Sequence, residues 1–193
     1  MLEVLNGVLD LAKLEEGKLV VDAVEFDLGA LIEDIVMLFA PQAQSKGIEI
    51  GGLIVGNTQA LVRGDKSRVR QILMNLTGNA VKFTKQGDVR IEVRFVETKR
   101  SIAYYELTVR DTGIGIPQEK LETIFEAFGQ ASASDSRLYG GTGLGLTISR
   151  HLARVLGGEI RVESEPGKGS AFRVTMPFES SRTEWGSQVE CVR

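Results

Sequence analysis

Two stretches of this chain alternate strictly between apolar and polar residues. Val89, Ile91, Val93 and Phe95 are separated by Arg90, Glu92 and Arg94, and Tyr105, Leu107 and Val109 by Glu106, Thr108 and Arg110. Successive side chains of a strand point to opposite faces, so each run is a strand with one buried face and one polar face. A sheet of that kind needs a covering layer, and amphipathic helices supply it. Asp27 can cap a helix over 27–45 that buries Leu28, Leu31, Ile32, Ile35, Val36, Leu38 and Phe39. Asp65 can cap another, with Val69, Ile72, Leu73, Leu76 and Ala80 as its apolar stripe. A third helix spans 144–156 and is closed by Gly157-Gly158. Runs at 48–55 and 60–63 read as short strands, and 159–164 with 170–176 as a hairpin about Pro166-Gly167-Lys168-Gly169. The expected fold class is therefore α+β: a two-layer α/β sandwich, with a mixed, mainly antiparallel sheet packed on three helices.

Between these elements, Pro117 can open a short helix ending near Phe128. Residues 129–141 are rich in Ser, Ala, Gly and Asp without periodicity and read as a mobile loop. At the start, Leu2, Leu5, Leu9 and Leu14 with Val4, Val8 and Leu11 make a helical apolar face that Gly17 can stop. Residues 180–193 are polar and patternless and read as a linker or tail. The 193 residues suffice for one domain with an appendage. A formal charge of -3 leaves no basic footprint, which argues against nucleic acid as a partner. No apolar run approaches the ~20 residues of a membrane helix, and the first residues lack a signal-peptide pattern. Cys191 is the single cysteine, so no internal disulfide forms, and the expected location is cytoplasmic.

Three clusters carry candidate chemistry. Asn75 and Asn79 stand at i and i+4 of the second capped helix, followed one turn later by Lys82 and Phe83. Carboxamide oxygens suit a magnesium ion already held by phosphate and water, and a lysine supplies a point charge for phosphate. The bland alternative is a solvated helix face. Asp111 ends a strand and is followed by Gly113, Gly115 and Ile116; alone, an aspartate there starts an ordinary turn. Gly141, Gly143 and Gly145 lead into the third helix, whose free N–H groups and dipole favour phosphate. Arg137, in the loop before them, could clamp phosphate or simply be solvated.

Taken in order, Asn75-Leu76-Thr77-Gly78-Asn79-Ala80-Val81-Lys82-Phe83-Thr84, Asp111-Thr112-Gly113-Ile114-Gly115-Ile116 and Gly140-Gly141-Thr142-Gly143-Leu144-Gly145-Leu146 resemble the nucleotide site of the sensor histidine kinases. These belong to an ATPase superfamily shared with gyrase, the heat-shock chaperones and the mismatch-repair ATPases. The resemblance runs over about residues 20–178. It implies ATP and Mg²⁺ as ligands, with a flexible ATP lid over the site. Asn79 would coordinate the metal, Asn75 assist it, Lys82 contact phosphate and Phe83 border the nucleotide. Asp111 would accept a hydrogen bond from the adenine amine, with Gly113, Gly115 and Ile116 letting the backbone approach the base. Arg137, Gly141, Thr142, Gly143, Leu144 and Gly145 would surround the phosphates, and Phe125 and Phe128 resemble the phenylalanine box, read here as core packing.

The resemblance further divides the chain into residues 1–19, similar to the end of a dimerisation-domain helix, a catalytic domain over 20–178, and a tail over 179–193. The motif forms look like those of hybrid kinases, which implies a receiver domain as partner beside the histidine-bearing dimerisation domain. His151, the one histidine, lies inside the third helix and is expected to be structural. The chain alone is expected to be monomeric and not to phosphorylate itself, its parent being a homodimer. Where hydrolytic relatives carry a glutamate, Asn75 stands, and asparagine cannot act as a general base. Transfer is thus favoured over the alternatives of hydrolysis or a non-catalytic interaction module.

Overall fold

The computed structural model describes residues 21–56, 61–126 and 143–180. Strands β1 (Val24–Asp27), β2 (Glu49–Val55), β3 (Leu61–Gly64), β4 (Asp88–Lys99), β5 (Ile102–Asp111), β6 (Glu159–Glu165) and β7 (Gly169–Ser180) form one sheet among the described residues. Helices α1 (Leu28–Lys46), α2 (Lys66–Phe83) and α3 (Gly145–Val155) form the second layer among the described residues. The strand order is β1-β3-β7-β5-β4-β2, with β6 paired to β7 beside that path. Only β2 and β4 run parallel; the other pairs are antiparallel. The two-layer α+β class expected from the alternating runs is the observed one.

Alternation sets the faces. Val89, Ile91 and Val93 of β4, Leu107 and Val109 of β5, and Phe172, Val174 and Met176 of β7 are buried with Leu31 and Ile35 of α1, Ile72, Leu73 and Leu76 of α2, and Ile148 and Leu152 of α3. The opposite face stays in solvent and carries charge: Arg94 faces Glu106 across the β4–β5 ladder at 2.6 Å, and Arg173 meets Glu163 at 2.8 Å. Both predicted caps form. Asp27 accepts from Gly29 N and Ala30 N, and Asp65 accepts from Arg68 N.

Four expectations need correction. Leu38 is 53% exposed although it stands about 20° round the helix from the fully buried Leu31, because apart from Ala43 the buried residues of α1 lie between Leu28 and Ile35 and its second half is less covered. Phe95 is 40% exposed, at the bulge where the β4–β5 register shifts, and meets Tyr105 edge-on. The helix after Pro117 is instead two single 3₁₀ turns, Gln118–Lys120 and Thr123–Phe125. Only the neighbours Ile124 and Phe125 are buried there, which gives a longer helix no stripe to pack. Finally, β7 continues to Ser180, beyond the strand read from alternation, because Phe178 is buried and β3 pairs with Glu179 and Ser180.

Candidate functional site

The C-terminal turn of α2 carries Asn79, Lys82 and Phe83, and its backbone is fully engaged. The last carbonyls of a helix lack partners within it and must be satisfied elsewhere. Ala80 O accepts Thr84 N at 3.0 Å and Thr84 Oγ1 at 2.7 Å. Val81 O and Lys82 O accept the Lys46 ammonium at 2.7 and 2.8 Å, and Phe83 O accepts Ile114 N at 3.4 Å. That last bond joins α2 to the turn after β5. The Lys82 ammonium lies 4.8 Å from the centre of the Phe83 ring, and partial burial pushes its pKa down.

In that turn Asp111 is 7% exposed. Its Oδ1 accepts Gly113 N at 2.8 Å. Burial pushes its pKa up, opposed by backbone hydrogen bonds from Gly113 and Ser170. An ionised carboxylate has about four acceptor positions, so these bonds leave capacity for an incoming amine. The glycines answer to the protein's own backbone. A Cβ on Gly113 would lie 2.7 Å from Phe83 O, and one on Gly115, where φ is 69°, only 2.1 Å from Glu165 O. The turn is fixed further by Gly167 N donating to Ile114 O at 2.8 Å and Ile116 N to Ser164 Oγ at 2.8 Å. Gly113, Gly115 and Ile116 thus stack the turn on α2 and on the β6–β7 hairpin.

Asn75 occupies the joint between α2 and α3. Its Nδ2 donates to Gly145 O and to the buried Ser149 Oγ, both at 3.2 Å. Asn79, one turn on within the same helix, is half-buried, and its carboxamide makes no side-chain hydrogen bond among the described residues. The two asparagines therefore differ: the Asn75 amide ties α2 to α3, and the Asn79 carboxamide has no such tie among the described residues. Among the described residues no side chain caps α3, whose N-cap is the buried Leu144. Gly143, at φ 68°, precedes it. Gly145 has room for a Cβ, which would sit 3.7 Å from Asn75 Cγ.

Phe125 is core, as expected: it meets Phe172 edge-on at 6.4 Å, and Arg150 lies 5.1 Å over its ring while donating to its carbonyl at 3.0 Å. His151 is half-buried within α3. The expectations for Arg137, Gly141, Thr142, Phe128, the lid, residues 1–19 and most of the tail lie outside the described residues. The reading of the sequence missed Lys46, Ser149 and Ser164. Lysine at a helix end and serine in a helix or strand carry no signal of the distant backbone they serve.

Among the described residues no group of three His, Cys, Asp or Glu could hold a metal, and no helix is long and apolar enough to cross a membrane. A site with carboxamide, ammonium, one buried carboxylate and a helix N-terminus offers hydrogen bonds to a base and positive potential to phosphate. Residues 64–180 match the family described as histidine kinase-, DNA gyrase B-, and HSP90-like ATPase, and the chain belongs to that family of ATP-binding domains.

Within the family, the similarity lies with sensor kinases. The chain is 40% identical over 184 residues to the sensor protein GacS of Pseudomonas syringae pv. syringae, covering 95% of this chain and 20% of that protein. It is 43% identical over 182 residues to the autoinducer 2 sensor kinase/phosphatase LuxQ of Vibrio cholerae, covering 93% of this chain and 21% of that protein. The chain thus spans about a fifth of the length of these relatives. The crystal structure of full-length ShkA in complex with AMPPNP matches with a TM-score of 0.78 at 33% identity, over 92% of this chain and 36% of that one. The catalytic domain of histidine kinase ThkA matches with a TM-score of 0.64 at 27% identity, over 81% of this chain and 95% of that one.

Proposed function

We propose that this domain binds Mg·ATP between α2 and the start of α3 and presents the γ-phosphoryl to a histidine of a separate dimerisation domain, as a sensor kinase's catalytic domain. The carrying observation is convergence. α2 is bonded at one end to the Asp111 turn through Phe83 O and Ile114 N, and about two turns earlier to α3 through Asn75. A nucleotide lying along α2 would put adenine against Asp111 and phosphates against Asn79, Lys82 and the α3 N-terminus. The buried carboxylate accepts the exocyclic amine, and desolvation strengthens that bond. The helix N-terminus and Lys82 hold the phosphates by charge.

Asn79 fits a magnesium ion that is held mainly by phosphate and water. It supplies one neutral hard oxygen, and no carboxylate cluster is present among the described residues to hold the ion alone. The ion would neutralise phosphate charge; the protein's share is to orient the chain of phosphates and hold water off the base. Arg137, Gly141, Thr142 and Gly143 are proposed to close over the phosphates. Asn75 engages Gly145 and Ser149 and has no proton-accepting group, so nothing at this position activates water. Catalysis then rests on positioning and electrostatics, with the acceptor supplied in trans. A receiver domain is the proposed downstream partner.

The test is transfer of label from γ-labelled ATP. With Mg²⁺ and a separately produced dimerisation domain of a sensor kinase at least 40% identical over this region, such as that of GacS, the label should appear as acid-labile phosphohistidine on the added domain and not on this chain. Steady release of inorganic phosphate by the chain alone would instead point to a hydrolase. Failure to bind an ATP analogue would leave a non-catalytic interaction module.

A further inference from the structure

We infer that Lys46 is a positioning residue for the nucleotide site, acting through the last turn of α2. It is the final residue of α1, and Gly47 turns the chain away behind it in the left-handed region, φ 69°. Its ammonium leaves α1 and donates to Val81 O and Lys82 O of α2, at 2.7 and 2.8 Å. These are the two C-terminal carbonyls of α2 that neither Thr84 nor the Asp111 turn supplies with a donor. A cation there also complements the negative end of the α2 dipole. Lys46 itself is exposed and far in sequence from the motif, and its side chain touches the backbone of that motif rather than a ligand.

The consequence follows from geometry. Lys82, Phe83 and Asn79 share the turn whose carbonyls Lys46 gathers, and the orientation of Lys82 over the Phe83 ring depends on that turn staying helical. Without the ammonium, both carbonyls turn to water, and the turn frays toward Thr84. The inference rests on the nucleotide reading of the site.

Calorimetric titration with AMPPNP and Mg²⁺ of the parent chain, Lys46→Met, Lys46→Arg, Lys82→Met and the Lys46→Met/Lys82→Met double variant tests it. Lys46→Met should bind about fivefold to tenfold more weakly, less than the whole of a lost charge-assisted hydrogen bond because the effect reaches the ligand through the turn, and Lys46→Arg should recover most of that. In the Lys82→Met background the same change should cost little more, since both act at one turn. Undiminished binding by Lys46→Met, or a loss of equal size in both backgrounds, overturns this inference alone. No binding by the parent chain overturns the nucleotide reading, and this inference falls with it.

Discussion

At the Asp111 turn there is no space for one added methyl group, while at the start of α3 a methyl fits. Gly115 lies against Glu165 O and Gly113 against Phe83 O, whereas the nearest neighbour of Gly145 is Asn75 at ordinary contact distance. The first wall is made of backbone pressed on backbone, with hydrogen bonds from α2, β6 and the β6–β7 turn converging on it. The second hangs on side chains: the Asn75 amide to Gly145 and Ser149, and Arg150 to the Phe125 carbonyl. Backbone walls hold one shape; side-chain ties can be released and remade. A family that recognises one base and must let phosphate chemistry proceed has use for a fixed wall on one side and an adjustable one on the other.

The sharpest way to break this contrast is a pair of alanines. Gly115→Ala should destabilise the fold by about 3 kcal/mol or more, since φ 69° and a 2.1 Å approach both penalise it. Gly145→Ala should change stability by no more than ~1 kcal/mol. Urea unfolding of both variants checks this, and equal losses would dissolve the distinction.

Next is Asp111→Asn. It should weaken AMPPNP binding about 100-fold, by replacing a charged acceptor with a neutral amide in a buried site. Its stability should move the other way. Because burial raises the Asp111 pKa, the folded protein holds this proton more tightly than the unfolded chain does. That contribution is complete below the ordinary carboxylate range and is lost as pH rises through the raised value. Asparagine carries no charge to desolvate, so the variant should be more stable than the parent at neutral pH, with the gap closing in acid. Denaturation at several pH values reads it.

Asn75→Leu removes two donated bonds and should cost about 1–2 kcal/mol, with faster amide exchange concentrated in α3 and little change at the Asp111 turn. Protection lost evenly over both walls would mean that they are not separately built. The smallest effect is expected on the open face, where Arg94→Ala breaks an ion pair whose arginine is 57% exposed and should shift stability by less than ~1 kcal/mol.

Much of this was legible in the chain. The alternation of 89–93 and 105–109 gave the sheet and its covered side, Asp27 and Asp65 gave two helix starts, and the three motifs gave the family. What was not legible is long-range. Leu38 keeps helical spacing from the buried Leu31 yet is exposed, because how far along α1 the covering layer reaches is set by tertiary packing and not by periodicity. Phe95 alternates correctly but lies where the ladder slips. Gly113 and Gly115 announce close approach without saying to what; here it is the protein's own carbonyls. Lys46 and Ser149 serve backbone or side chains 36 and 74 residues away, a distance no local pattern encodes.

Strand β7 has a further consequence. It pairs with β5 along one edge and with β6 and then β3 along the other, so β1 and β3 reach the remaining strands only through it. It also brings the Ser170 backbone to Asp111. On the ribosome, where domains form as the chain emerges, every motif of the proposed nucleotide site leaves the exit tunnel before the strand that welds the sheet together. Until then β1 and β3 are a loose pair and the Asp111 carboxylate lacks one of its donors. A nascent chain halted ahead of β7 holds the whole binding signature and no finished place to bind.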